Sequence, residues 1–485
     1  MADFTGIRPE NVFRFFEEIS KVPRGSGNTA GMTEYLENFC FTHNLDGGAD
    51  DAGNVLLYKD ATPGYEDAPT VILQAHVDMV CVKEQGSSHD FGKDAIELVL
   101  EGDVLRANGT TLGADDGIGV ACILAILDDD TLAHPALECV FTVDEEIGML
   151  GADVLDMEAL EGRRLINLDS EDEGVLVAGC AGGIRVDSDI PIGRAVIRGM
   201  PVMVEISGLR GGHSGVSIHE ARLNAIKALA RYFRELDKVV AFSLCDISGG
   251  DKDNAIPVTA KSHFVVEEED LDKVREFTQK FEARIKAEYT ASDDAFRVIL
   301  ESGTPHKIPV MDPKSQDKVL NFLLLMPCGV AVLRDGQVMT SSNLGIVRTG
   351  VDRQTGIGHF VTTSLVRSVM KTQRDALADK ICAHTEFLGG TALLKEEFEP
   401  WELTESSVLR ETMQKVYKEL YGKEMKVEVS HGGLECGVFA RRIEGLDAVS
   451  IGPDIQNMHT AKETVSVSSV ARTYDFLCKV LAELR

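Results

Sequence analysis

The sequence predicts an α/β protein interrupted by a long stretch of different texture. Three observations lead there. Val71 to Val80 is almost unbroken apolar residue, as expected of a strand covered by helices on both faces. Gly117 to Leu127 is apolar all round, which suits a buried helix. Leu137 to Val143 and Leu165 to Leu168 follow as further strand-like runs, so strands and helices alternate, the pattern of an α/β layer structure.

The elements follow in order. A helix is predicted from Pro9, with Val12, Phe15, Phe16 and Ile19 on one face and Pro23, Gly25 and Gly27 ending it. Beyond residue 182 the texture changes. Val202 to Ile206 reads as a strand, and Leu223, Ile226, Ala230 and Phe233 keep helical spacing. More strands and helices run to about Leu394, joined by loops rich in Gly, Ser and Asp. Near Pro400 and Trp401 long amphipathic helices return. Leu409, Met413, Val416 and Leu420 form one stripe closed by Gly422, and Val470, Tyr474, Leu477, Leu481 and Leu484 form another. Three stretches result, 1–182, 183–397 and 398–485.

With 485 residues, 44% of them apolar, the chain can bury one or two cores. Its 49 Lys and Arg against 79 Asp and Glu leave a net charge of −30. Such a surface repels phosphate backbones and anionic bilayers, so neither a nucleic acid nor a membrane is expected as partner. Apolar runs such as Val120 to Leu127 are too short to span a bilayer. The opening residues show no basic start and no apolar core of a secretory signal. The ten cysteines form no C-x-x-C pair, which argues for reduced thiols and a cytoplasmic protein.

Four polar clusters stand where apolar runs end. His76-Val77-Asp78 places an imidazole and a carboxylate two residues apart, on one face if the strand continues. A metal-bound histidine commonly has a carboxylate on its other nitrogen; a histidine satisfied near a loop is the alternative. Gly113-Ala114-Asp115-Asp116-Gly117 opens the apolar helix. One acid there is an ordinary cap, but two repel each other beside a core. Asp144-Glu145-Glu146 follows a core strand, where packed carboxylates either protonate or find a cation. Asn167-Leu168-Asp169 leads into Ser170-Glu171-Asp172, which also fits an exposed acidic loop. Ligands of open α/β sheets gather at the carboxyl ends of the strands, so His76, Asp115, Glu146 and Asp169 can converge. Met458-His459-Thr460 offers a further nitrogen before the last helix, although twelve histidines are present and composition does not choose among them.

The order of these clusters resembles the M20 metallopeptidase family: H-x-D, an aspartate after a glycine-rich turn, a Glu-Glu pair, an aspartate and a late histidine. Gly208-Leu209-Arg210-Gly211-Gly212-His213-Ser214-Gly215, Thr340-Ser341-Ser342-Asn343-Leu344-Gly345 and His431-Gly432-Gly433-Leu434-Glu435-Cys436 further resemble its Xaa-His dipeptidase, carnosinase-like branch. The likeness runs over essentially the whole chain. It implies a zinc-peptidase-type catalytic domain, a mixed sheet flanked by helices, split by an inserted α+β lid domain long enough for two lid-like halves. It implies two zinc ions, replaceable by manganese or cobalt, bridged by Asp115, with His76 and Asp169 on one and Glu146 and His459 on the other. Glu145 would be the general base and Asp78 the residue orienting His76. In the lid, His213 would donate to the oxyanion, Arg367 would hold a substrate carboxylate, and Asn254 and Asn343 would touch substrate. For His213 a surface turn, and for Arg367 an ordinary salt bridge, remain the alternatives.

The implied activity is hydrolysis of Xaa-His and other small dipeptides through a water bridging the two metals. An N-acyl-amino-acid amidohydrolase on the same centre, or a non-catalytic metal-binding homologue, would carry the same ligands. The sequence leaves a homodimer open.

Overall fold

The computed structural model describes Phe4 and residues 6–352 and 356–485. They form two compact units: residues 1–180, 401–430 and 434–485 in the first, residues 181–400 and 431–433 in the second.

The first unit is built on an eight-stranded mixed sheet. Its order is Asp46–Ala49, Val55–Lys59, Leu137–Thr142, Val71–His76, Arg164–Asn167, Asp447–Ser450, Val175–Cys180, Lys426–Ser430. The three strands that matter most, Leu137–Thr142, Val71–His76 and Arg164–Asn167, are neighbours and run parallel. Their carboxyl ends therefore lie side by side. All six residues of Val71–His76 are buried. Val71, Leu73 and Ala75 enter one core with the helices Glu10–Ile19, Ala114–Asp128 and Val467–Glu483, while Ile72 enters a second core on the opposite face. Gln74 and His76 share the parity of Ile72. The strand stops at His76, so Asp78 follows it in a loop rather than extending it to Val80. The apolar helix starts at Ala114, three residues before the apolar run, because the acids of the turn are drawn into its first turn.

A separate four-stranded sheet contains the hairpin Ile455–Gln456 and Thr464–Ser466, whose loop carries His459. The helix Val408–Tyr421 ends at Gly422, which takes the left-handed conformation the sequence predicts (φ 66°).

The second unit is an α+β structure. Its main sheet has ten strands, antiparallel throughout its pairings. The helices Ala225–Leu236, Leu271–Glu288, Pro313–Leu325 and Lys371–Phe387 contribute to its core. All ten cysteines are free. Among the described residues no helix is long and apolar enough to cross a membrane.

Candidate metal centre

Strand ends and two turns deliver the acids and histidines to one place in the first unit. His76 is the last residue of its strand, Glu145 and Glu146 follow Thr142, and Asp169 follows Asn167. Asp115 sits in the first turn of the Ala114–Asp128 helix with a non-helical backbone (φ −82°, ψ 106°). His459 has a positive φ of 59° in its hairpin loop, a conformation histidine adopts more readily than most residues.

The two carboxylate oxygens of Asp115 face different histidines. Oδ1 lies 3.1 Å from His76 Nε2, and Oδ2 lies 3.1 Å from His459 Nε2. Asp169 Oδ1 is 3.5 Å from His76 Nε2, and Glu146 Oε1 is 3.0 Å from His459 Nε2. Ligands bound to one small divalent ion at about 2.0–2.1 Å in a tetrahedron stand about 3.3 Å apart. Nitrogen and carboxylate donors at this spacing suit such an ion. Ligand atoms of His76, Asp115 and Glu146, and those of His76, Asp116 and Asp169, lie within 4.8 Å of one another.

Asp116 joins the second of these groups, yet its oxygens already have partners. Oδ2 accepts from the His76 backbone N–H and Oδ1 from that of Gly119. Burial pushes its pKa well above the ordinary carboxylate value. The two adjacent aspartates thus divide, Asp115 toward the histidines and Asp116 toward the backbone.

Asp78 faces His76 Nδ1 at 3.4 Å. Its Oδ1 also accepts the Glu145 N–H (3.0 Å), and its Oδ2 accepts the Glu146 N–H (3.3 Å) and the Ser26 hydroxyl (2.8 Å). The Asp78 backbone carbonyl lies 3.2 Å from the same His76 nitrogen, and its carboxylate holds the Glu-Glu turn.

The acids and imidazoles shift one another's protonation. Burial opposes a charged His76, but Asp169, Asp115 and Asp78 raise its pKa well above the usual value. Hydrogen bonds to Asp115 and then Glu146 push His459 up to about 11. Burial would raise Asp115, but His459 and His76 hold it far below the carboxylate range. Burial pushes Asp169 up to about 7 and Glu145 well above its ordinary value. Divalent cations would favour ionised acids and neutral imidazoles here, so the donor set fits metal.

Three further residues brace the centre, none of them singled out from the sequence as a site residue. Arg24, almost fully buried, donates to the carbonyls of Val77, Asp78 and Gly113. A Cβ on Gly113 or Gly117 would stand 2.5 Å from its Nη2. Glu463 accepts the backbone N–H groups of Leu112, Gly113, Ala114 and Asp115. Glu435 is fully buried and accepts from Gln74 Nε2 and the Thr142 hydroxyl; Gln74 in turn accepts from Asn167. Burial pushes Glu435 up to about 7, and its Oε1 meets no hydrogen-bond partner. Glu435 lies in the motif His431 to Cys436, and Glu463 stands four residues after His459; all three residues act across long sequence separations.

The lid candidates lie in the second unit. His213 is exposed on the short strand Gly212–His213, opposite Ala255. Asn254 accepts the Ser214 N–H through its backbone carbonyl. Asn343 lies on the Gln337–Val351 strand. It is 1% exposed, and its amide donates to the carbonyls of Asp253 (2.7 Å) and Ala255 (2.8 Å). Both of its N–H groups hold the backbone on either side of Asn254. Arg367 is buried on the Gly358–Ser368 strand with its guanidinium 5.7 Å from the Phe398 ring centre. Burial, and next the charge of Arg367, lower His431 to about 4. The His431 ring accepts or donates one hydrogen bond with the Ser341 hydroxyl at 2.7 Å.

Known proteins share this organisation. The chain is similar to the cytosol non-specific dipeptidase of Escherichia coli (strain K12), with 33% identity over 489 residues, all of this chain and 99% of that protein. Its fold matches the crystal structure of aminoacylhistidine dipeptidase from Vibrio alginolyticus with a TM-score of 0.83 and 31% identity, covering 99% of this chain and 98% of that one. A tripeptidase of Staphylococcus aureus shares the fold at a TM-score of 0.60 and 16% identity, covering 99% of each chain. The sequence profile of peptidase family M20/M25/M40 matches residues 72–483. The chain belongs to this peptidase family and is a hydrolase of the metallopeptidase type.

Proposed function

We propose that the protein is a cytoplasmic dipeptidase that uses two metal ions, zinc in this reading, to hydrolyse Xaa-His and other small, carnosine-like dipeptides. The observation that carries the reading is the division of Asp115 between His76 and His459. The dipeptide substrates rest on similarity along the whole chain to two proteins named as dipeptidases.

Asp115 would bridge, with His76 and Asp169 on one ion and Glu146 and His459 on the other. Bound there, the metals supply Lewis acidity and make a water proton acidic near neutral pH. Glu145 takes that proton and returns it to the leaving amine as the C–N bond breaks and the new C–O bond forms. Asp78 keeps His76 and the Glu145 backbone in register for this transfer. His213 donates to the carbonyl oxygen as its charge grows. Arg367 would pair with the substrate's terminal carboxylate, and Asn254 and Asn343 would contact the rest of the dipeptide.

The test is metal analysis joined to a panel of free dipeptides, dipeptide amides, tripeptides and N-acetylated amino acids. About two equivalents of metal and fastest cleavage of Xaa-His dipeptides are expected. Preferred cleavage of N-acetylated substrates would identify an amidohydrolase instead. A metal-loaded protein that cleaves nothing would refute the proposal.

A further inference from the structure

Glu463 is 2% exposed and is the last residue of the hairpin loop 457–463, which carries His459. Its Oε2 accepts from Leu112 (2.8 Å) and Gly113 (3.0 Å), and its Oε1 from Ala114 (2.7 Å) and Asp115 (3.3 Å). Arg24 grips the same turn from another side, taking the Gly113 carbonyl together with those of Val77 and Asp78. Gly113 thus donates its N–H to Glu463, while its carbonyl accepts from Arg24 and from the Gly117 N–H. Three segments that carry candidate ligands, around His76, Asp115 and His459, meet through one buried carboxylate and one buried guanidinium.

We propose that Glu463 is a positioning residue of the metal centre, locking the His459 loop to the Asp115 turn so that both oxygens of Asp115 meet their histidines. The inference rests on the reading of these residues as metal ligands and adds a residue outside that set. Four backbone donors fix both the position and the rotation of the turn, whereas a simple helix cap satisfies one or two. Arg24 restrains the opposite edge, so the turn cannot pivot about Glu463.

A purely structural role would lower stability and leave metal affinity alone. Glu138 provides the control. It is also buried (5% exposed) and its carboxylate accepts the N–H groups of Glu161 and Gly162, in a loop that carries no candidate ligand.

The experiment strips the full chain of metal and titrates it with Zn²⁺ against a chromophoric chelator, with circular dichroism and thermal melts on the same samples. Glu463→Gln is nearly isosteric but sets an amide donor against backbone donors. It is expected to stay folded and to bind Zn²⁺ about 10–100-fold more weakly, the usual cost of losing a residue that orients a metal ligand. The zinc concentration needed for half-maximal peptidase activity should rise in parallel. Glu138→Gln should melt earlier and bind Zn²⁺ as the wild type does. If Glu463→Gln fails to fold, Glu463→Asp, which keeps both oxygens on a shorter stem, should show the same shift at smaller size. A folded Glu463 variant with wild-type zinc affinity overturns the inference. A wild type that takes up no zinc overturns the reading of the centre itself, and this inference with it.

Discussion

The two units hold their polar residues in different ways. In the first, the candidate ligands sit at the ends of adjacent parallel strands and in two nearby turns, each in a short motif of its own. In the second, polar residues lie within antiparallel strands, and cross-strand partners decide what they do. Asn343 shows the difference. The family resemblance implies a substrate contact for it, and its amide is tied to the carbonyls of Asp253 and Ala255. Asp115 and Asp116 show that even the first unit needs its structure, since two identical adjacent side chains face the histidines and the backbone respectively.

The contrast can be tested most severely at the Glu-Glu pair. Glu145→Gln should keep its metal and lose about 10²–10⁴-fold in kcat, whereas Glu146→Gln should lose metal. Equal metal loss in both would erase the distinction between them. In the second unit, Arg367→Ala should lower kcat/KM on free dipeptides by about 10–100-fold, the worth of a charge-assisted hydrogen bond, and leave dipeptide amides nearly unaffected. Equal losses on both substrates would make Arg367 a structural residue.

Zinc uptake should release protons. His459, pushed up to about 11, is protonated at pH 7 in the metal-free protein, and ligation requires its neutral form. Apparent affinity should therefore increase with pH, and calorimetry in buffers of different ionisation heat should count the protons released. Binding without proton release would remove His459 from the ligand set. The smallest expected change is in Asn343→Ala, which should cost about 1–3 kcal/mol of stability for two unsatisfied carbonyls. If its KM rises more than that of Asn254→Ala, Asn343 touches substrate.

The same contrast explains what was legible in the sequence. His76, Asp115, Glu145, Glu146 and Asp169 each follow an apolar run or a glycine turn, so local pattern marks them. The stripe Leu409, Met413, Val416 and the glycine at 422 define a helix and its end. By contrast, Glu463 touches Leu112 across 351 residues and Glu435 touches Gln74 across 361. Periodicity carries no trace of such contacts. Nor does it reveal that Gly182–Ile192 pairs with Thr391–Phe398, a long-range pairing in the main sheet of the second unit. The strand at His76 ends early because Asp78 is drawn out of line toward the backbone of Glu145 and Glu146.

Arg24 has a consequence for how this chain can change over time. Its guanidinium occupies the space that a methyl group on Gly113 or Gly117 would need. Neither glycine can become alanine while the arginine stays, and Gly113 is further held by its left-handed backbone (φ 68°). Shortening Arg24 first would open room at Gly117 but abandon three carbonyls. Drift at these positions is therefore possible only as a linked exchange, in which Gly117 gains a side chain after position 24 has lost its reach and another donor has taken over the carbonyls of Val77, Asp78 and Gly113.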